Sequence, residues 1–353
     1  MFTPLFLKNK NYEISRRDYT FDYAKENTSK INMTLSGSYL SNYSKSSIDW
    51  KKFDQYPSHD DIQSLISKIK EVEKTDREII IGAGANGILQ NLVKMLFRYG
   101  GNLVTPYHTF DEAEFAVTSF GGFTKRVYMN DFEIDFSNLY QAIDSNTKMV
   151  YLCNPNNPTG IVTSSSKILD FARRVRVFVV VDESGIEFTN EKSLLSFSDL
   201  PDNLLVIRSF SKAYGLANLR IGYLGCTRNF QNSYVRHNTI HEVNGFSVFM
   251  ALSQLKNKKN VQNNIRKITF EREKIIKEFH KLGILCTTSQ SNVIFTKTTF
   301  PYYFIESLKK SGISVVTILD KDRNIHIRIA IQEENLNRQF LEVFFNIYQS
   351  IFQ

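Results

Sequence analysis

Short apolar runs alternate with amphipathic stretches through the middle of the chain. Apolar residues recur every three or four positions over 61–74, from Leu89 to Phe97 and over Lys167–Arg174, which predicts helices. Strands are predicted at the short apolar runs Ile79–Ile81, Asn102–Thr105, Arg126–Met129, Met149–Cys153, Val177–Val181, Leu204–Arg208 and Ile221–Cys226. Since several of these strands are apolar on both faces, the pattern predicts an α/β fold with a mostly parallel sheet.

The pattern changes after residue 255. A long charged helix is predicted over Asn263–Leu282. Shorter strands and helices are predicted after it, at Ile284–Thr287, Val293–Thr296, Tyr303–Lys310, Ile325–Ile331 and Glu333–Phe352. Residues 1–55 are polar and irregular, as expected of an N-terminal arm with loops. The chain is therefore predicted to divide into this arm, a large domain over 56–255 and a smaller α+β domain over 256–353.

The composition is ordinary for a soluble globular protein, with 42% hydrophobic and 23% charged residues among 353. No apolar run approaches the ~20 residues that span a membrane, and the first residues lack the features of a secretory signal. Three widely spaced cysteines, an odd number, indicate free thiols in a reducing compartment rather than disulfides or a metal site. A cytoplasmic protein without a membrane partner or a bound metal is expected.

A net charge of +8 and a pI of about 9.1 raise the question of nucleic-acid binding. The lysines are scattered, however, and no nucleic-acid motif accompanies their densest cluster, Lys256–Lys259. The charge therefore predicts a solvated basic surface, and it is compatible with a basic site that attracts anionic substrates.

Four segments that carry chemistry follow predicted strands, where ligands of open α/β sheets bind. One contains Lys212, which follows the hydroxyls of Ser209 and Ser211 and lies upstream of Arg220. Its amine suits a carbonyl cofactor, and hydroxyls with a guanidinium suit a phosphate. Pyridoxal phosphate has both groups. The alternative is a polar turn with a solvated lysine.

The other three segments have plainer alternatives of their own. The glycine-rich turn over 84–87 opens a helix and could hold a phosphate through backbone N–H groups, although glycine turns are common. The Asn/Pro segment over 154–160 presents the amide of Asn157, or is an ordinary turn. Asp182 ends an apolar strand and needs a partner such as a protonated pyridine, or else caps a helix or joins a structural ion pair.

The order and spacing of these four segments resemble the fold type I family of pyridoxal-phosphate enzymes, and more narrowly the class I/II aminotransferases. Within them, the chain is most similar to histidinol-phosphate aminotransferases and threonine-phosphate decarboxylases. The resemblance implies a large domain with a mostly parallel, seven-stranded-type sheet and a smaller α+β C-terminal domain. It also implies transfer of an amino group between an amino acid, or an amino-acid-like phosphate, and a 2-oxo acid or carbonyl acceptor.

Two other functions stay open at this point. The same cofactor would serve a decarboxylase of an amino acid or of an amino-acid phosphate. A non-catalytic binding protein that has kept the fold is the third reading, which the retained Lys212, Asp182, Asn157 and Arg220 oppose.

The resemblance also implies roles for individual residues. Lys212 would form the internal aldimine with pyridoxal 5'-phosphate and later move the proton as general acid and base. Asp182 would pair with the pyridinium nitrogen, and Asn157 would bind the ring hydroxyl. The cofactor phosphate would be bound by Gly84, Ala85, Asn86, Ser209, Ser211 and Arg220.

Three further residues complete the implied site. Phe110 would stack on the cofactor ring, and Arg328 would clamp the substrate carboxylate. Tyr56 would reach the cofactor phosphate of a neighbouring subunit, which implies a homodimer with shared sites.

Some positions depart from the family pattern around the ring. Gly185 stands where an aromatic residue is usual, which leaves space for a larger substrate or for another side chain. Glu187 is expected to approach the site instead. Gly87 stands where glutamate is common, and Asn218 replaces a glycine, at a cost of ~1 kcal/mol if the backbone there needs a positive φ.

One departure bears on the substrate. The histidinol-phosphate and threonine-phosphate enzymes usually have an arginine where this chain has Val316. Since valine cannot bind a phosphate, the sequence predicts a substrate other than those of both groups, unless Arg323 or Lys321 substitutes.

Overall fold

The computed structural model describes residues 30–34, 36, 56–238 and 242–352. The predicted arm over 1–55 lies outside the described residues, apart from 30–34 and 36. The helices are α1 His59–Glu73, α2 Gly84–Leu96, α3 Glu112–Ser119, α4 Phe136–Ala142, α5 Ser165–Arg174, α6 Arg228–His237, α7 Gly245–Lys256, α8 Lys258–Lys281, α9 Tyr302–Lys310 and α10 Glu334–Phe352. The strands are β1 Ile31–Asn32, β2 Glu78–Gly82, β3 Asn102–Pro106, β4 Phe123–Val127, β5 Thr147–Cys153, β6 Phe178–Asp182, β7 Leu204–Ser209, β8 Gly222–Cys226, β9 Val293–Phe295, β10 Ile313–Ser314, β11 Val316–Leu319 and β12 Ile325–Ala330.

The central sheet has seven strands in the order β2-β8-β7-β6-β5-β3-β4. Strand β8 runs antiparallel to β2 and β7, and the other neighbours are parallel. Along β6, Val179 and Val181 join one hydrophobic cluster while Val180 joins the cluster on the other face. Because both faces are buried, the strands read as continuous apolar runs. The predicted mostly parallel seven-stranded sheet is confirmed.

A second sheet is formed near the C-terminus by β11, β12 and β9, all antiparallel. The prediction of a strand at Ile284–Thr287 is wrong, because only Cys286 forms a bridge there, to Thr296. Strand β11 was not predicted, since its four residues are too few for a clear period. Strand β4 begins three residues before the predicted run over 126–129, because it is a partly exposed edge strand with little apolar pattern.

Strand β1 pairs in parallel with β10 and so joins the predicted arm to the C-terminal part of the chain. The amide of Ile31 donates to the carbonyl of Gly312 at 3.0 Å, and the amide of Ala330 donates to the carbonyl of Met33 at 2.7 Å. The predicted boundary at 255/256 falls at the end of α7, directly before α8. The division into three parts stays a prediction.

Candidate active site

Lys212 lies just beyond the carboxyl end of β7, in the turn that follows Ser209. Its Nζ donates a hydrogen bond to Ser36 Oγ at 2.5 Å. Desolvation lowers the pKa of Lys212 to about 8, and the positive charge of Arg328 acts in the same direction. A lysine with this pKa keeps a substantial neutral fraction near neutral pH, as a nucleophilic amine requires.

Asp182 ends β6 and is buried beside Lys212. Its Oδ2 accepts a hydrogen bond from the hydroxyl of Tyr151 at 3.1 Å, and its Oδ1 accepts one from the amide of Ser184 at 2.9 Å. Burial raises the pKa of Asp182, although these hydrogen bonds and the charge of Lys212 oppose the shift. A buried carboxylate with mostly neutral partners is suited to pair with a cationic ligand group such as a pyridinium.

The residues implied for phosphate binding meet at the start of α2. Gly84 has φ +74°, and a Cβ built on it would lie 2.9 Å from Arg220 Nη2. Ser211 Oγ lies 3.5 Å from Arg220 Nη1, and the amide nitrogen of Ala85 lies close to the backbone of Gly222. The N-cap residue of this helix, Ala83, makes no side-chain capping hydrogen bond. A guanidinium, a hydroxyl and helix N–H groups together fit a phosphate.

Arg220 itself adopts a left-handed backbone conformation, with φ 47°. Asn218 is not among the residues with positive φ, so the expected strain at that position is not found. In this turn the positive φ is found at Arg220, two residues after Asn218. The single turn of 3-10 helix over Ala217–Leu219 ends there.

Arg328 lies on β12 and is brought next to Asn157, in the segment that follows β5. Its Nη1 donates to Asn157 Oδ1 at 3.2 Å, and its Nη2 donates to the carbonyl of Thr34. The candidates for the substrate carboxylate and for the ring hydroxyl are therefore neighbours. Phe110 packs against the hydrophobic cluster that Ala85 also contacts. Tyr56 is 82% exposed and lies on the surface of the protomer.

Four residues near the candidate site were not predicted. Tyr151 could have been found, because strand alternation places it on the face of Cys153, beside Asp182. Thr34 and Ser36 come from the segment treated as an arm, and no motif marks them. Asn292 Nδ2 donates to the carbonyl of Ser36 at 2.7 Å, a contact that only the tertiary fold creates.

Glu187 does not approach the site, so this expectation is wrong. Its Oε1 pairs with Arg208 Nη2 at 2.6 Å, on the face of the sheet opposite Asp182. Arg208 Nη1 also contacts Glu73 Oε1 at 2.8 Å and Glu183 Oε2 at 3.9 Å. We call these four residues the ion cluster. A buried guanidinium needs carboxylate partners, and this need decides where Glu187 points.

The space left by Gly185 is partly occupied by the chain itself. A Cβ on Gly185 would lie 3.3 Å from Pro155 Cγ and 3.6 Å from Ser291 Oγ. The segment after β5 and the loop before β9 therefore both contribute side chains next to Gly185.

Val316 is paired with Arg328 in the antiparallel register of β11 and β12 and is only 1% exposed. The exposed residues Lys321 and Arg323 lie at the tip of this hairpin, beyond the pair Leu319 and Ile325. Three residue pairs separate the tip from Arg328, which corresponds to about 10 Å along the strands. Neither side chain takes the position of the missing arginine.

Among residues 30–34, 36, 56–238 and 242–352, no helix is both long enough and apolar enough to cross a membrane. The three cysteines are free thiols. No group of metal-binding side chains is found within the same described ranges.

A family model described as aminotransferase class I and II matches residues 30–344. Histidinol-phosphate aminotransferase from Leuconostoc citreum is 28% identical over 291 residues, which are 81% of each chain. Histidinol-phosphate aminotransferase 1 from Archaeoglobus fulgidus is 30% identical over 295 residues, 81% of this chain and 88% of the relative.

Among solved structures, histidinol-phosphate aminotransferase from Sinorhizobium meliloti, in complex with pyridoxal-5'-phosphate, superposes with a TM-score of 0.85. It is 20% identical in sequence, and the superposition covers 99% of this chain and 98% of that chain. This similarity confirms the predicted fold.

Proposed function

The chain belongs to the aminotransferase class I and II family and is a pyridoxal-phosphate-dependent aminotransferase, and on that premise we propose that its amino donor carries a carboxylate but no phosphate. The observation that carries the proposal is the pairing of buried Val316 with Arg328. Arg328 offers a bidentate partner for one carboxylate, whereas the apolar side chain of Val316 beside it offers no cation for a phosphate. A donor with an apolar or weakly polar side chain fits this arrangement best.

Each residue of the site is assigned to one group of the cofactor or of the substrate, according to its position. When bound, pyridoxal phosphate supplies an aldehyde that links to amines and a ring that withdraws electrons from the substrate Cα. We assign its phosphate to Arg220, Ser211 and the start of α2, and its ring nitrogen to Asp182. Lys212 Nζ acts as nucleophile and proton carrier, and a pKa of about 8 leaves both of its protonation states accessible near neutral pH.

Arg328 also favours transamination over the decarboxylase alternative. Its Nη1 and Nη2 are oriented by Asn157 and by the carbonyl of Thr34. A carboxylate held by such a guanidinium is stabilised in its charged form, which opposes its loss as carbon dioxide. Transamination leaves that carboxylate unchanged.

The proposal is tested by mixing the holoenzyme with amino donors and following the absorbance of the cofactor and the 2-oxo acid product. We expect turnover with carboxylate-bearing donors and little with histidinol phosphate. The Val316→Arg variant should gain activity on phosphate-bearing donors, while Val316→Leu, the control of similar polarity, should not. Efficient turnover of histidinol phosphate by the unaltered enzyme would contradict the proposal.

We also propose a homodimer in which Tyr56 reaches the cofactor phosphate of the partner. Its 82% exposure in the single protomer supports this role. Mixing Tyr56→Ala chains with Lys212→Ala chains should restore activity, because one site of each mixed dimer would then have both residues. Absence of recovery, with mixed dimers verified by mass spectrometry, would refute shared sites. The predicted cytoplasmic location stays a prediction.

A further inference from the structure

The hydroxyl of Ser36 makes a hydrogen bond with the reactive end of Lys212. Its hydroxyl oxygen accepts from Lys212 Nζ at 2.5 Å, although 176 positions separate the two residues in sequence. The ionisable groups that face the lysine lie on several other elements, namely Asp182, Cys153, Arg220 and Arg328. The two arginines disfavour the ammonium form and Asp182 favours it, so the charges around Lys212 partly cancel.

The position of Ser36 is fixed by contacts to the C-terminal part of the chain. Asn292 Nδ2 donates to its carbonyl oxygen at 2.7 Å, and Asn292 is buried. Two residues earlier, the carbonyl of Thr34 accepts from Arg328. The carbonyl of Met33 accepts from the amide of Ala330 at 2.7 Å. The backbone at Met33 and Thr34 is therefore held against β12, and the backbone of Ser36 is held against the loop before β9.

A hydroxyl is suited to a lysine that changes its charge during the reaction. The ammonium form of lysine only donates hydrogen bonds, while the neutral amine can also accept one. Serine can accept from the former and donate to the latter, whereas a carboxylate could only accept. A hydroxyl therefore pairs with Lys212 in both states without holding it permanently in the charged form.

We propose that Ser36 is a positioning residue for the proton transfers of Lys212, holding Nζ in place whenever the lysine is not joined to the cofactor. The inference rests on the role given to Lys212 in the proposed function. It adds to the site a residue from outside the four segments that follow the strands of the central sheet. Through Ser36, the position of Lys212 also depends on the segment that contains Thr34, whose carbonyl contacts Arg328.

The first test titrates Lys212 in the cofactor-free full-length protein. The extent of its acetylation by acetic anhydride is measured by mass spectrometry between pH 6 and 10. Ser36→Ala should lower the midpoint by about half to one pH unit, because the charge-assisted bond to the ammonium is stronger than the bond to the neutral amine, so its loss disfavours the ammonium form more. Ser36→Thr, which keeps the hydroxyl, should titrate like the unaltered protein. An unchanged midpoint in Ser36→Ala, or a threonine variant that behaves like alanine, would overturn the inference.

A second variant keeps the test decisive if Ser36→Ala does not fold. Asn292→Ala leaves the hydroxyl in the chain but removes the hydrogen bond to the Ser36 carbonyl. We expect a shift in the same direction and of smaller size. A midpoint equal to that of the unaltered protein would count against the inference.

The holoenzyme provides an independent readout. Ser36→Ala should slow donor-driven conversion of the cofactor by about tenfold, with KM for the donor changed less than twofold, because Lys212 moves the proton while Arg328 binds the carboxylate. A rise in KM without a change in kcat would overturn the inference. Borohydride reduction of the unaltered holoenzyme followed by peptide mapping tests the premise separately. Labelling of a lysine other than Lys212 would refute the proposed function itself.

Discussion

The carboxyl ends of β6 and β7 carry polar residues on both faces of the sheet, and the two faces use them differently. Asp182 and Ser209 face the candidate site, while their chain neighbours Glu183 and Arg208 face the other side and belong to the ion cluster. Successive residues of a strand point to opposite faces. Each of these neighbouring pairs therefore places one residue in the candidate site and the other in the ion cluster.

The ion cluster satisfies its charges within the protein. Arg208 contacts Glu73 and Glu187 at 2.8 Å and 2.6 Å and lies over the ring of Tyr223. Across the sheet, Asp182 has hydrogen bonds from neutral donors, the Tyr151 hydroxyl and a backbone amide. The comparison teaches that the charges of the ion cluster depend on one another, so that removing one partner is costly, whereas Asp182, with mostly neutral partners, is available to a cationic ligand group.

The largest expected effect comes from removing the amine on the site face. Lys212→Ala should reduce conversion of any amino donor by at least about 1,000-fold, because both the nucleophile and the proton carrier are lost. The free energy of unfolding of the cofactor-free protein should change by less than about 1 kcal/mol, since the lysine is desolvated and no carboxylate of the described residues is in salt-bridge contact with it. Stopped-flow spectroscopy and urea unfolding measure the two quantities. Strong destabilisation would contradict the comparison, because it would show that a residue on the site face also stabilises the fold.

The ion cluster should respond in the opposite way. Arg208→Met should lower the free energy of unfolding by about 3–5 kcal/mol, because it leaves buried carboxylates without their cation. The matched control is Arg173→Met, which breaks the pair with Asp199, whose side chains are 43% and 90% exposed. That change should cost less than about 1 kcal/mol. Similar losses in the two variants would show that burial of Arg208 is not what makes it important.

The pH dependence of stability provides a subtler test. Burial raises the pKa of Glu183 to about 7, although Arg208 and hydrogen bonds from Ser193 and Leu194 oppose the shift. The folded state therefore binds a proton that the unfolded state has lost above its ordinary pKa of 4.5. This contribution is fully present below that value and is lost as pH rises through about 7.

Stability should consequently fall by about 1–3 kcal/mol more in the unaltered protein than in Glu183→Gln between pH 5 and 8. Denaturant unfolding of both proteins across this range measures the difference, and the comparison cancels the titration of other groups. Parallel profiles would show that Glu183 does not bind this proton and would point instead to Glu187, whose pKa burial also raises.

The smallest expected change in stability concerns the left-handed backbone of Arg220. Arg220→Asn should stabilise the cofactor-free protein by about 0.5–1 kcal/mol, because asparagine tolerates this conformation better. Cofactor affinity should fall by roughly 10- to 100-fold with loss of the guanidinium. Arg220→Ala is the control that loses the charge without relieving the backbone. A stabilised variant with unchanged affinity would remove Arg220 from the phosphate site.

The sequence predicted the central sheet and the strand-end segments because their signals are local. Apolar runs mark β5, β6 and β7, and the polar residues after each run must meet at one edge of a parallel sheet. The contacts of Ser36 and Asn292 could not be predicted, since they join distant parts of the chain through the fold. The expectation that Glu187 approaches the site was wrong because the sequence does not show that its carboxylate pairs with Arg208 on the opposite face of the sheet.

The pairing of β1 with β10 has a consequence for the order of events during synthesis. Ile31 is synthesised before its partner Ile313, which follows roughly 280 residues later. At about 5–20 residues per second, the early segment waits roughly 15 to 60 seconds for its hydrogen-bond partners. The strand ends of the large sheet can form before then, but Ser36 cannot be held beside Lys212. Completion of the active site therefore has to wait until Asn292, β10 and β12 have been synthesised.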